Sequence, residues 1–205
     1  MTHAAIVAET RAWVDRVVIG LNLCPFAKAV QVRGQIRYVV CDASNDAALL
    51  AALQTELERL ARSDPALTDT TLLIHPRVLT DFDTYNQFLG DADALLVAAN
   101  LEGIVQIASF HPDYRFAGAA QRAVENATNR SPYPMLHLLR EASVARAVAA
   151  FPDTATIVEA NIRTLRALGP RRLRALMAQC RRDAHRGDAS EASDATDASC
   201  ASGAA

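Results

Sequence analysis

The chain has 205 residues, of which 51% are hydrophobic, and its 21 basic residues nearly balance 23 acidic ones. This length suits one domain of ordinary size, and the apolar fraction is sufficient for a core. Balanced charge argues against a whole-protein electrostatic attraction to nucleic acid, which we therefore do not expect as a partner.

The N-terminus and the cysteines predict a cytoplasmic protein. The opening residues, MTHAAIVAETRAW, lack a basic region followed by an apolar run, so no signal peptide is predicted. No stretch has the uninterrupted apolar length of a membrane helix, so no membrane is expected as a partner. The cysteines form no C-x-x-C pair, which is typical of a reducing compartment and argues against a thiolate zinc site. They are Cys24, Cys41, Cys180 and Cys200.

The first two thirds of the chain predict alternating helices and strands. Apolar residues at helical spacing indicate an amphipathic helix over 4–21. The predicted strands cover 35–41, 70–75 and 104–110, with helices over 47–62 and from Asp81 or Asp83 onward between them. Strands connected by such helices run parallel. We therefore expect an α/β fold with a small, mostly parallel sheet of three or four strands, a β-α-β-α-β core and flanking helices.

The last third of the chain is predicted to be helical. One helix is expected to follow the two prolines of SPYP and to continue to about Ala150. Two more are expected on either side of a break at Gly169 and Pro170. From residue 187 the chain is small, polar and acidic, so we expect one domain over 1–186 and a disordered tail over 187–205. The last helix carries Arg171, Arg172, Arg174, Arg181, Arg182 and Arg186.

Two predicted strands end in the same way, in I-H-P at His75 and in F-H-P at His111. The carboxyl ends of parallel strands share one edge of a sheet, where ligand sites gather. Both imidazoles are therefore candidate catalytic residues, which would bind a metal or carry protons near neutral pH. The alternative is that each His-Pro pair only ends its strand, with the ring bonded to a neighbouring loop.

His137 and Glu141 stand four residues apart on a predicted helix, so they would share one flank of it. Together with His75 and His111, they could complete a site for one divalent metal ion, iron or zinc. The alternative is an ordinary surface pair on a helix.

Polar residues gather between the third strand and the helix expected after it. Asn129, Arg130 and Ser131 precede the expected helix start, where free N–H groups and a guanidinium suit an anion. Asn126 and Arg140 are further candidates for contact with the same substrate. The alternative is a capped helix, with Arg130 on the surface and the asparagines holding the loop.

Two more side chains are candidate catalytic residues. Cys24, in the loop LNLCPFAK, could be a nucleophile if a histidine lies close, and Tyr114 could donate a proton. The alternatives are a buried, inert thiol and a tyrosine ring that only packs.

Four stretches resemble the bacterial DUF1415 family, a domain of unknown function. They are GLNLCPFAK, LLIHPxVLxDFxxYNxFL, GIVQIASFHPxYxFAG and NATNRSPYPMLHLLREASVxRA. The resemblance covers roughly residues 13–168 and implies a soluble single-domain protein. It brings no established activity, so it assigns no catalytic residue.

The leading expectation is a cytoplasmic enzyme that acts on a small anionic substrate, with a divalent metal at the carboxyl edge of the sheet. A metal-dependent hydrolase or oxidoreductase would fit these residues. One alternative is a metal-free phosphate- or anion-binding protein that uses Asn129, Arg130 and Ser131. Another is an RNA- or protein-interaction module that uses the arginine-rich helix. A homo-oligomer is left open.

Overall fold

The computed structural model describes residues 1–150 and 154–197, with side chains placed for 1–150 and 156–184. The strands in this part of the chain are β1 (Ile36–Val40), β2 (Thr70–Ile74), β3 (Val105–Phe110) and β4 (Met135–Arg140). The α-helices are α1 (His3–Trp13), α2 (Ala27–Val32), α3 (Asp46–Arg62), α4 (Phe82–Ala98), α5 (Glu141–Ala150) and α6 (Thr154–Asp197). A π-helical segment covers Val14–Ile19, and a 3-10 helix covers Val124–Asn129.

The four strands form one mixed sheet in the order β1-β2-β4-β3. β1 pairs with β2 in parallel, whereas β4 is antiparallel to both β2 and β3. β1, β2 and β3 therefore point in the same direction, and their carboxyl ends lie at one edge. The α/β class is confirmed, but the expectation of a mostly parallel sheet is wrong because β4 lies between β2 and β3.

The helix expected after SPYP begins only at Glu141, because the six residues before it form β4. The run MLHLLR is apolar apart from His137 and Arg140. A short apolar run of this kind fits a buried strand as well as a helix. Tertiary pairing decides between the two, since β4 pairs along its whole length with β2 on one side and β3 on the other.

Helices cover both faces of the sheet, which gives three layers. On one face α3 and α4 pack against strand residues that include Leu73 and Leu136. On the other face α1, the π-helical segment and α6 pack against Leu72 and Ile74. Each fully buried leucine contributes roughly 1.5–3 kcal/mol of transfer free energy.

Local signals set the ends of several helices. Asn45 Oδ1 accepts from the Ala48 N–H at 2.9 Å, and Asp81 Oδ1 accepts from the Thr84 N–H at 3.0 Å. Both residues are therefore N-caps, and Asp81 is one of the two expected for α4. The expected break at Gly169 is present as a kink inside α6, where the φ of 74° favours glycine.

The C-terminal end of the chain is described only in part. The backbone of α6 is helical up to Asp197, and residues 198–205 lie outside the described part of the chain. The disordered tail over 187–205 and the domain bounds of 1–186 stay predictions. None of the helices in the described ranges has the length and hydrophobicity needed to span a bilayer.

Candidate functional site

The two His-Pro strand ends meet around Tyr85 of α4. The Tyr85 ring centroid lies 5.8 Å from that of His75 and 5.1 Å from that of His111. The Tyr85 hydroxyl donates to the Met135 carbonyl at 2.9 Å and accepts from the Phe110 N–H at 3.1 Å. Tyr85 therefore joins β4 to β3 at the edge where His75 and His111 end their strands.

Both imidazoles at this edge are fully buried, with 0% exposure each. His75 Nδ1 lies 3.0 Å from the Val78 carbonyl, and His111 Nε2 lies 3.2 Å from the Leu79 carbonyl. Since a carbonyl only accepts, both nitrogens carry the proton. The Asp113 N–H donates to His111 Nδ1 at 3.0 Å. The hydrogen-bond partners of both rings are thus backbone groups, as in the alternative in which His-Pro only ends a strand.

Burial also keeps these rings neutral. Burial lowers the pKa of His75 to about 4 and also lowers the pKa of His111, because an imidazolium ion loses its hydration in the protein interior. His75 Nε2 has no hydrogen-bond partner among the described residues. A solute in the solvent cannot contact either ring without a movement of the surrounding chain.

The four expected metal ligands are not brought together. His137 lies within β4, where its Nε2 is 2.6 Å from Thr70 Oγ1 and burial lowers its pKa to about 4. Glu141 follows the last residue of β4, at the opposite edge of the sheet from His75 and His111. Within the described residues, no group of three or more His, Cys, Asp or Glu could hold a metal ion.

Asn126 and Arg130 hold the loop that follows β3. Asn126 is fully buried; its Oδ1 accepts from the Phe116 N–H at 3.0 Å and its Nδ2 donates to the Ala120 carbonyl at 2.8 Å. Arg130 donates from Nη2 to the Gln121 carbonyl at 2.8 Å, and from Nε to the carbonyl of Tyr114. Both side chains therefore fold this loop back on itself.

Asn129 and Ser131 also donate to backbone carbonyls. Asn129 Nδ2 reaches the Ser109 carbonyl at 3.1 Å, and Ser131 Oγ reaches the Tyr133 carbonyl at 2.6 Å. Because β4 rather than a helix follows Ser131, no helix N-terminus stands here to attract an anion. The physical reason for expecting an anion at this loop is thereby removed.

Arg140 lies far from these residues. It is 8% exposed, and its guanidinium donates to the Ser63 carbonyl at 2.6 Å and to the Thr68 carbonyl at 3.2–3.3 Å. It therefore ties the end of β4 to the loop before β2, at the opposite edge from Arg130.

The two other catalytic candidates lie on different faces of the sheet. Tyr114 packs edge-on against Phe82, with a centroid distance of 5.3 Å, beside the α3 and α4 layer. Cys24 is a half-buried free thiol, and its neighbour Leu23 packs into the α1 and α6 layer. The structure therefore does not bring Cys24 and Tyr114 together.

A cleft of about 590 Å³ opens beside the loop that Asn126 and Arg130 hold. Its walls are loop 116–119, the 3-10 helix and the first part of α6. Sequence reasoning found Asn129 but missed most of the lining, because the α6 wall carries no local signal. The lining residues are Phe116, Ala117, Gly118, Ala119, Glu125, Thr128, Asn129, Val158, Asn161 and Ile162. A second depression is lined by α3 and the residue after it alone, so it has no opposite wall.

Glu9 of α1 is a buried carboxylate that was not predicted from the sequence, and it contacts the loop before β4 and α6. Glu9 is 2% exposed, accepts from the Tyr133 hydroxyl at 2.5 Å and accepts from Arg181 Nε at 3.2 Å. Burial, and then Glu9 itself, raises the pKa of Tyr133. The sequence does hold a signal for the burial of Glu9, since this acid lies on the apolar stripe of α1, beside Ile6 and Trp13. Glu9, Tyr133 and Arg181 together connect α1, the loop before β4 and α6.

Comparison with known proteins identifies the family of this chain, but it does not identify an activity. A family model described as "Protein of unknown function (DUF1415)" matches residues 5–175. This match confirms the family that the four stretches resemble. No curated protein and no solved structure matches the chain.

Proposed function

Because this chain belongs to the DUF1415 family, whose description names no activity, we propose a function from geometry: the protein binds a small organic molecule. The site is the cleft between loop 116–119, the 3-10 helix and α6. The single observation that carries the proposal is the cleft itself, built from three separate segments beside the polar loop after β3.

The composition of the cleft supports this proposal. Small-molecule sites are concave, of several hundred cubic ångströms, and combine apolar walls with a few polar groups. Here Phe116, Val158 and Ile162 are apolar, whereas Thr128 and Asn129 are polar. The volume of about 590 Å³ lies within the usual range for such sites.

The cleft wall is pre-formed, which favours binding. Asn126 and Arg130 fix loop 114–121 through hydrogen bonds to its backbone. A ligand would then not have to order this loop, and binding would avoid that entropic cost. In this proposal Asn126 and Arg130 position the wall and do not contact the ligand.

A screen with a cleft-filling variant tests the proposal. Val158 is 60% exposed, so Val158→Trp would fill the cleft at little cost to folding. Arg166→Trp, on an exposed position of the same helix, is the matched control. We expect thermal-shift screening of amino acids, nucleosides, sugars and amines to give hits that Val158→Trp abolishes and Arg166→Trp keeps. Hits that survive Val158→Trp, or no hits at all, would contradict the proposal.

A second candidate function rests on the arginines of α6. Arg171, Arg174 and Arg182 are exposed, and none forms an ion pair with a described residue. Their helical spacing places them on one side of α6, away from the buried Cys180. Such a positive stripe would contact the phosphates of single-stranded RNA.

Anisotropy of a fluorescent RNA 20-mer discriminates this candidate. Three phosphate contacts predict that log K falls with log salt with a slope of about −2. The slope should vanish in the triple variant Arg171→Gln, Arg174→Gln, Arg182→Gln. It should persist in Arg59→Gln with Arg62→Gln, which removes two exposed arginines from α3. Equal loss in both variants would reject the α6 stripe as the site.

A further inference from the structure

We propose that the ligand of the cleft is a small amine that carries a positive charge, an inference that rests on the proposed function. Glu125 is the only charged side chain among the ten residues that line the cleft. The preferred ligand would therefore have the opposite sign of charge to the small anionic substrate expected from the sequence.

The charge of Glu125 is not balanced within the described part of the chain. Glu125 is half-buried and forms no ion pair there. Arg122, three residues earlier, is exposed and does not pair with it, and Arg130 donates to backbone carbonyls instead. A carboxylate taken partly out of water gains most from a cationic partner.

The two amides of the lining also favour a donor. Asn129 Nδ2 donates to the Ser109 carbonyl, and Asn161 Nδ2 donates to the Leu23 carbonyl at 2.9 Å. These bonds orient both amides and leave each Oδ1 without a partner among the described residues. Asn161 is only 5% exposed, whereas Glu125 and Asn129 are half-buried, so these two side chains offer the acceptors of the lining to which an ammonium group can donate.

The remaining lining suits the hydrocarbon part of such a ligand. Phe116 is 36% exposed and Val158 is 60% exposed, so both present apolar surface to the cleft. The Phe116 ring can also attract an ammonium group through its π-electrons. An amine attached to an aromatic or aliphatic body therefore fits the lining as a whole.

Three matched probes test the charge preference: 2-phenylethylamine, 2-phenylethanol and phenylacetate, which share one body and differ in the polar group. Titrations of the 15N-labelled full chain followed by NMR give the dissociation constants. We expect the amine to bind about fivefold more tightly than the alcohol, as for a partly exposed ion pair, and phenylacetate to bind more weakly than both.

Variants of Glu125 show whether this residue causes the preference for the amine over the alcohol. Glu125→Gln should make the amine and the alcohol bind equally, and Glu125→Lys should favour phenylacetate. Glu102→Gln, which removes an exposed acid outside the cleft, should change nothing. The dispersion of the NMR spectrum reports whether each variant folds, and two different changes at Glu125 guard against the failure of one.

The outcomes separate this inference from the proposed function. Equal binding of amine and alcohol to the unmodified chain, with both lost in Val158→Trp, would overturn the amine assignment and leave the cleft as a binding site. A preference for the amine that Glu125→Gln does not change would also overturn the assignment. No binding of any probe at millimolar concentration would count against both.

Discussion

The edge around Tyr85 and the cleft beside the 3-10 helix use polar residues in opposite ways. At the edge, His75 and His111 have 0% exposure, and their hydrogen-bond partners are backbone groups. In the cleft, Glu125 and Asn129 belong to the lining, and neither the Glu125 carboxylate nor the Asn129 Oδ1 has a partner among the described residues. The polar residues of these two regions thus separate into a group with backbone partners and a group that we propose contacts a ligand.

The largest expected effect is a loss of folding stability at acidic pH, caused by the buried histidines at the edge around Tyr85. The pKa of His75 is about 4 in the folded chain and near 6.5 when unfolded, so the unfolded state binds more protons between these values. The contribution of neutral His75 to the free energy of unfolding is therefore present above pH 6.5 and is lost as the pH falls. The loss from His75 alone is about 3 kcal/mol at pH 4. Urea unfolding at pH 7, 5.5 and 4 measures this loss.

The control for this prediction is the slope of stability against pH. His75→Gln should reduce that slope, whatever its effect on stability at pH 7. His3→Gln, which removes an exposed histidine, serves as the control variant. Equal slopes in the unmodified chain and in His75→Gln would show that the edge opens to solvent before the chain unfolds.

The next largest effect concerns Tyr85, the residue that joins the two His-Pro strand ends. Tyr85→Phe keeps the ring but leaves the Met135 carbonyl and the Phe110 N–H without their partner. We expect a loss of about 2–3 kcal/mol in urea unfolding, because unsatisfied buried groups cost roughly 1–3 kcal/mol each. Tyr114→Phe, whose hydroxyl has only a 3.4 Å contact with Ser109, should cost much less. Similar losses in both variants would contradict the bridging role of Tyr85.

Asn126 shares features of both regions, since it is as buried as His75 and His111 but holds a wall of the cleft. Asn126→Ala removes the partner of the Phe116 N–H and of two carbonyls. We expect about 1–2 kcal/mol of destabilisation together with weaker probe binding. Calorimetry and NMR titration measure the two effects, and an unchanged affinity would show that the loop does not shape the site.

The smallest expected effect is at Glu141. If this residue only begins α5, Glu141→Ala should change stability by about 0.5 kcal/mol, the size of a favourable helix-dipole contact. Probe binding should not change, because Glu141 does not line the cleft. Elemental analysis of protein purified without chelator completes the test. A metal that is present in the unmodified chain and lost in Glu141→Ala would contradict this role and would support the metal site expected from the sequence.

Much of the fold was predictable because its signals are local. The strands β1, β2 and β3 lie within one residue of their predicted bounds, and Asp81 caps α4 as one of two candidates. Turn and cap chemistry depends on neighbouring residues, and an apolar pattern next to such signals is legible in one sequence. The meeting of the two His-Pro strand ends at one edge also followed from strand direction.

The nature of the candidate site was not predictable in the same way. The run at residues 135–140 fits a helix or a strand equally, and only pairing with β2 and β3 decides the direction of His137 and Arg140. Which polar residue is buried against a carbonyl and which faces a cleft depends on distant contacts, such as that of Asn161 with Leu23.

The sequence by itself therefore determined the α/β class, the strand ends and the family, since periodicity, caps and motif words are properties of short segments. The tertiary structure alone decided the mixed sheet, the sealing of His75 and His111, and the α6 wall of the cleft. Pairing and burial are set by segments far apart in the chain, and no local pattern encodes which of them will meet.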